Sequence, residues 1–184
     1  MILAIDTSLG TSVAVLGADG ALLAARDSAD ARGHAEAIGT CIAEVIAEAG
    51  TVADIAAVAV GMGPGAYTGL RVGIAAARAF AAGRGVPVLG VPSHDAVREE
   101  LGLGPEAAIA TPAGRRGHYV SRDGTTRLAH DGIGDALLVG RVSAAALARV
   151  ALARLAAGLP TGPAEPLYLR EPDVTPSAGP KRVS

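Results

Sequence analysis

The sequence predicts a two-lobed α/β protein whose first lobe runs β-β-β-α-β-α-β and whose second lobe is a shortened version of the same order. Three observations carry this. Short apolar runs joined by an Asp-Gly turn open the chain, an apolar pattern of period three to four follows, and strand and helix patterns then alternate. The chain has 184 residues, which suits one domain or two small lobes.

Ile2 to Ile5 is an apolar run that reads as a buried strand ending at Asp6. Ser12 to Leu16 and Leu22 to Ala25 read as two further strands. Ala18-Asp19-Gly20 between them supplies the positive φ angles of a tight hairpin turn. Three strands on short connections make an antiparallel meander. Ile38, Cys41, Ile42, Val45, Ile46 and Ala49 then recur at three and four, with Glu36, Thr40, Glu44 and Glu48 opposite. This is an amphipathic helix closed by Gly50.

Ile55 to Val60 reads as a strand, Tyr67 to Ala82 as a helix, and Val86 to Val91 as a strand with Pro87 placing its start at an edge. A helix over Ser93 to Leu103 completes the first lobe, residues 1–103. In the second, residues 104–184, strands are expected at Ala107–Thr111, His118–Ser121, Thr126–Ala129 and Ala136–Val139. A helix over Ser143–Ala157 has Ser143 as its N-cap. Beyond Gly158 the chain is rich in Pro and Gly and reads as a surface tail.

Half the residues are apolar, enough for a core, but it is an aliphatic one. There is no Trp, one Phe (Phe80) and three Tyr (Tyr67, Tyr119, Tyr168). The net charge of −2 argues against a broad nucleic-acid surface. Residues 1–97 hold 5 basic and 9 acidic side chains, residues 98–184 hold 11 and 9, and the only Lys is Lys181. That leaves room for a small arginine-lined contact in the C-terminal half. One cysteine, Cys41, excludes an intrachain disulfide framework. The opening MILAIDTS lacks a signal-peptide pattern, and no apolar run reaches the roughly 20 residues of a membrane span. The expected location is the cytoplasm.

Two loops could carry chemistry. Asp6-Thr7-Ser8-Leu9-Gly10-Thr11 joins two strands. Its carboxylate and hydroxyls could hold a metal–phosphate pair, or could cap the turn. Gly61 to Gly69 follows a strand and opens a helix, a place where backbone N–H groups can face an anion. It lacks the Lys-Ser or Lys-Thr of a phosphate loop and the glycine spacing of a dinucleotide fingerprint. In the helix that follows, Gly69, Gly73, Ala77 and Ala81 recur at fours as a smooth ridge. Each interior Gly costs about 1 kcal/mol against Ala, so something packs closely there, either the chain's own sheet or a partner's backbone. His34 has no second ligand on its helix, and His94, His118 and His130 have no partner at metal or triad spacing.

Ile2-Leu3-Ala4-Ile5-Asp6-Thr7-Ser8, Gly63-Pro64-Gly65-Ala66-Tyr67-Thr68-Gly69-Leu70-Arg71-Val72-Gly73, His34-Ala35-Glu36 and Tyr168-Leu169-Arg170 together resemble the TsaB family, also called YeaZ. The resemblance is close over residues 1–95, patchy over 105–160, and returns in the tail. It implies the actin/Hsp70-like (ASKHA) two-lobed fold and a role as the accessory subunit that helps form threonylcarbamoyladenosine at position 37 of tRNA. It implies work with the catalytic paralogue TsaD and the ATPase TsaE, contact with tRNA through the complex, and a homodimer when alone. The implied dimerisation surface is the pair of helices His34–Ala49 and Tyr67–Ala82, with His34, Ile38, Ile42, Val45, Tyr67, Gly69, Leu70, Gly73 and Ala77 as interface residues. On that reading the glycine ridge packs on the partner.

The resemblance implies no catalytic residue and no metal here, because TsaD-type subunits carry a His-x-x-x-His pair where this chain has His34 and Ile38. Asp6, Thr7, Ser8, Gly63, Pro64 and Gly65 would touch a nucleotide, ATP or ADP with magnesium, only within the complex. A departure from the family lies at Ala113-Gly114-Arg115-Arg116-Gly117-His118, where relatives carry Asp-Ala-Arg and then Glu. The competing expectation is a small ASKHA-type phosphotransferase that uses Asp6 and the glycine turn.

Overall fold

The computed structural model describes residues 1–28, 34–50, 52–160 and 165–169. The first sheet contains β1 (Ile2–Asp6), β2 (Thr11–Leu16), β3 (Leu22–Ser28), β4 (Ala57–Gly61) and β5 (Val88–Val91), in the spatial order β3-β2-β1-β4-β5. β1, β2 and β3 form the expected antiparallel meander, with Ile2 opposite Leu16 and Asp6 opposite Ser12. β4 and β5 add in parallel on the other side of β1. β5 is the edge, as Pro87 required. β4 starts two residues later than the apolar run suggested. Val52–Asp54 is a turn of 3-10 helix, and Ala57 is the residue that lines up with Ile2 at the start of β1.

The helices α1 (His34–Ala49) and α2 (Tyr67–Arg84) lie on one face of this sheet. Their apolar stripes interlock with Leu3, Ile5, Val13, Val15, Val58 and Val60, the residues of alternate parity that β1, β2 and β4 turn toward them. The opposite parity, Ile2, Ala4, Ala14, Leu16 and Ala59, faces α3 (Ser93–Leu101) and α4 (Ala144–Ala156). α4 begins as expected, with Ser143 Oγ accepting the Ala146 N–H. The boundary at residue 103 therefore separates two sheets but not two cores, because α4 packs on β1 and β2.

The second sheet holds β6 (Ile109–Pro112), β7 (His118–Arg122), β8 (Thr125–Ala129) and β9 (Leu137–Leu138), ordered β8-β7-β6-β9. Three antiparallel strands and a parallel fourth repeat the β3-β2-β1-β4 pattern. One component is missing from the copy. Between β3 and β4 the chain builds the 16-residue α1. Between β8 and β9 it has only residues 130–136, which contain Gly132 and Gly134 at positive φ.

Candidate functional site

The two loops singled out in the sequence meet at the carboxyl ends of β1 and β4. Asp6 is only 2% exposed. Its Oδ1 accepts from the Ser8 N–H at 2.8 Å and from the Ser8 hydroxyl, and its Oδ2 accepts from Ser93 Oγ at 2.6 Å. Ser93 Oγ in turn accepts the Gly63 N–H, and the Ser93 N–H donates to the Gly63 carbonyl at 2.7 Å. Thr7 Oγ1 donates to the Gly69 carbonyl at 2.7 Å. Asp6, Thr7, Ser8, Gly63, Pro64 and Gly65 are thus brought together as expected.

Their polar atoms bond to one another, however. A Cβ on Gly61 would collide with the Asp6 carboxylate, and one on Gly65 would lie 2.8 Å from Ser8 Cα. These glycines let two loops close against each other. Among the described residues no buried side-chain nitrogen or oxygen lacks a partner. Asp6→Ala is expected to cost about 2–3 kcal/mol, the penalty for stranding the hydroxyl and amide donors around a removed charged acceptor. Urea unfolding of the variant checks this.

The tail closes the junction from outside. The Leu167 N–H donates to the Met62 carbonyl at 2.8 Å, and the Tyr168 ring rests on Tyr67 with centroids 4.8 Å apart. Arg71 lies over the Tyr67 ring and donates to its hydroxyl at 2.8 Å.

The glycine ridge of α2 does not face outward. Gly69, Gly73, Ala77 and Ala81 are buried, and a Cβ on Gly73 would overlap Thr7 Oγ1. The close neighbour is the chain's own β1–β2 loop. Ile38, Val45 and Leu70 are buried too, in the core between the helices and the first sheet. The interface assigned to Ile38, Val45, Gly69, Leu70, Gly73 and Ala77 is therefore corrected: these residues hold α1 and α2 on their own sheet and have no surface to offer a partner. Ile42 and Tyr67 are half-buried and remain accessible; the His34 side chain lies outside the described residues. Among the residues that α1 turns to solvent, the small Gly39, Ala43 and Ala47 lie beside Glu36, Thr40, Glu44 and Glu48, and α2 exposes Ala75, Ala79 and Gly83 beside Arg71, Arg78 and Arg84. Half-buried Ile42, Ile46, Val72, Ala76 and Phe80 flank these small residues.

A second polar cluster has no counterpart in the sequence reading. His94, 1% exposed, has Nδ1 2.6 Å from Ser121 Oγ on β7 and Nε2 2.9 Å from Thr111 Oγ1 on β6. Arg98, one turn on, donates to the Ser121 hydroxyl and carbonyl, to the Ala107 carbonyl and to Asp95. Arg154 of α4 reaches the other Asp95 oxygen at 2.7 Å. Burial, and then the neighbouring Arg98 charge, push the His94 pKa down to about 3. The group is a neutral peg joining α3 to the second sheet. Enclosed as it is, it presents no nucleophile to a substrate.

Residues 28–151 match the model of a protein family described as TsaD, tRNA N6-adenosine threonylcarbamoyltransferase. The chain belongs to the TsaD family. A full-length relative is an uncharacterized protein of Mycobacterium tuberculosis (strain H37Rv), 37% identical over 202 residues that cover 96% of this chain and 95% of the relative. The tRNA N6-adenosine threonylcarbamoyltransferase of Streptococcus pneumoniae (strain CGSP14) is 51% identical over 61 residues, 33% of this chain but only 18% of that enzyme. The fold matches YeaZ from Pseudomonas aeruginosa, with a TM-score of 0.69 at 24% identity over 91% of this chain and 99% of that one. A second Pseudomonas aeruginosa structure, of an uncharacterized protein with similarity to peptidase YeaZ, gives 0.71 at 23% identity, over 92% and 99%. The TsaD-family membership and this full-length likeness agree with the ASKHA fold that the TsaB resemblance implied. No helix among the described residues is long and apolar enough to cross a membrane.

Proposed function

We propose that this chain is a non-catalytic assembly subunit of the system that forms N6-threonylcarbamoyladenosine at position 37 of tRNA, and that it binds the catalytic TsaD subunit through α1 and α2. The observation that carries the proposal is a strip of small exposed residues on these two helices, bordered by the charged Glu44, Glu48, Arg71 and Arg78. Gly39, Ala43 and Ala47 on one, and Ala75 and Ala79 on the other, leave two backbones open to close approach by a second helix pair. The half-buried Ile42, Ile46, Val72 and Phe80 supply apolar area beside them, and Tyr67 with Arg71 borders the strip. Tyr and Arg are enriched among residues that dominate binding energy.

The rest of the molecule agrees with an accessory role. The position four residues after His34 is Ile38, 7% exposed and part of the core, so α1 lacks the second metal ligand of the catalytic paralogue. The Asp6 junction uses its donors and acceptors internally. Nucleotide would be held only at the joint surface with the partner, where ATP or ADP with magnesium could meet the rim of the glycine turn. In the absence of TsaD the same strip would pair two copies of this chain about a two-fold axis. TsaE and tRNA would join through the complex, in the cytoplasm.

The test is sedimentation of the chain mixed with its cognate TsaD at micromolar concentration. A heterodimer is expected with the natural sequence and none with Ala43→Arg. The variant should unfold within about 0.5 kcal/mol of the parent, as exposed substitutions do. A parent chain that stays monomeric in the mixture, or an Ala43→Arg chain that binds unchanged, overturns the assignment.

A further inference from the structure

We infer that the outer face of the second sheet is a contact for the phosphodiester backbone of RNA; this rests on the assembly reading and deepens it. Among the described residues no helix covers this face, for a topological reason. The β8-to-β9 connection stands where the first sheet has α1, and its seven residues cannot supply a covering helix. Ala108, Ala110, Val120, Ala129 and Ala136 form a small apolar floor, with Ile133 packed against it. A cleft of about 310 Å³ opens beside this floor.

The charge on this face differs from the charge on the rest of the chain. Residues 113–136, the β6–β7 turn, the β7–β8 hairpin and the connection to β9, hold four arginines and three aspartates (Asp123, Asp131 and Asp135), a net charge of +1, while the protein as a whole has a net charge of −2. The register puts His118, Val120 and Arg122 of β7 on the same face as Ala129, Arg127 and Thr125 of β8. Arg122, Thr125 and Arg127 line the cleft. Arg115 is exposed on the β6–β7 turn, at the His118 end of the hairpin. Arg122 is held by an ion pair to Asp135. The side chains of Arg115 and Arg127 have no hydrogen bond or ion pair with any described residue.

Free arginines strung along a hairpin, with hydroxyls and few carboxylates between them, suit a polyanion with regularly spaced charges. The apolar floor, poor in aromatic residues, has no platform for stacking bases, so the contact would be to backbone and sequence-independent.

The experiment uses the full chain bound to its cognate TsaD and a fluorescent tRNA transcript, with anisotropy read from about 50 to 200 mM salt. The double charge reversal Arg115→Glu/Arg127→Glu is expected to weaken binding about tenfold or more at the low-salt end. It should also lower the slope of log Kd against log salt by about one to two, the signature of lost phosphate contacts. Arg141→Glu/Arg149→Glu, which changes net charge equally before and on α4, away from both α1–α2 and the second sheet's hairpin, should move neither quantity as far. Should the reversal impair assembly, Arg115→Gln/Arg127→Gln gives the same readout. Unchanged affinity and slope with the complex intact overturn the inference while the assembly reading stands. A wild-type chain that never joins TsaD sinks the assembly reading first. An acidic peptide of matched charge that competes as well as RNA overturns the inference in favour of a protein partner.

Discussion

Gly73→Ala is expected to destabilise the folded chain by about 1–3 kcal/mol, the usual cost of forcing extra volume into a packed site. The change works against helix propensity, which by itself favours Ala over Gly by about 1 kcal/mol. The reason is local. The new Cβ would overlap Thr7 Oγ1, a short side chain already fixed by its bond to the Gly69 carbonyl and buried with it. Either α2 moves off the sheet or Thr7 gives up that bond.

Gly39→Ala is the matching control, because a Cβ there meets nothing within 4 Å. It should stabilise the isolated chain by up to about 1 kcal/mol. Chemical unfolding of both variants measures the contrast. If Gly73→Ala stabilised as much as Gly39→Ala, the ridge would not be packed on β1–β2. The same comparison explains why bulk at Gly73 cannot serve as an interface test: the fold would suffer before any partner was met.

The second large effect is an acid-dependent loss of stability centred on His94. Its folded value of about 3 lies below the ordinary 6.5, because burial and Arg98 both oppose the charged form. The unfolded chain therefore takes up the proton first as pH falls. The stabilisation is complete above pH 6.5 and drains away between 6.5 and 3, at up to about 1.4 kcal/mol per pH unit and about 4–5 kcal/mol in all. His94→Gln should cost about 1–3 kcal/mol near neutrality through imperfect bonds to Ser121 and Thr111. The gap between variant and parent should then close as the pH drops toward 4. Urea unfolding at pH 7, 5 and 4 reads this directly, and parallel pH profiles for the two chains would exclude His94 as the responsible group.

Much of the secondary structure was legible because it is locally encoded. Asp19-Gly20 marked the β2–β3 connection, although only Gly20 and not Asp19 takes a positive φ, the three-and-four spacing from Ile38 to Ala49 set α1, and Ser143 set the start of α4. Each signal acts within a few residues, so no knowledge of distant contacts was needed. The copy of the first lobe's strand order in the second was also visible, as was the meeting of strand, glycine turn and helix at Val58 to Phe80.

The candidate site was legible only in part, and the failure has a definite cause. The residues Asp6, Thr7, Ser8 and Gly63 to Gly65 lie at one junction, but sequence spacing does not say whether their polar atoms face a ligand or one another. Likewise, Gly69, Gly73, Ala77 and Ala81 have the same four-residue period whether the ridge lies against the chain's own loop or against another molecule. Periodicity specifies that a face exists, not what it meets. His94 gave no local sign at all, since Thr111 and Ser121 reach it only when two strands of the second sheet pair behind α3.

By itself, then, the sequence determined the elements, their order, the aliphatic core and the likeness to the TsaB family. Only the tertiary structure decided which side of α2 is inside, that Asp6 is spent on Ser8 and Ser93, and that α4 completes the core of the first sheet. These depend on contacts between residues far apart in the chain, and such contacts follow from how buried surfaces fit together rather than from any residue's neighbours.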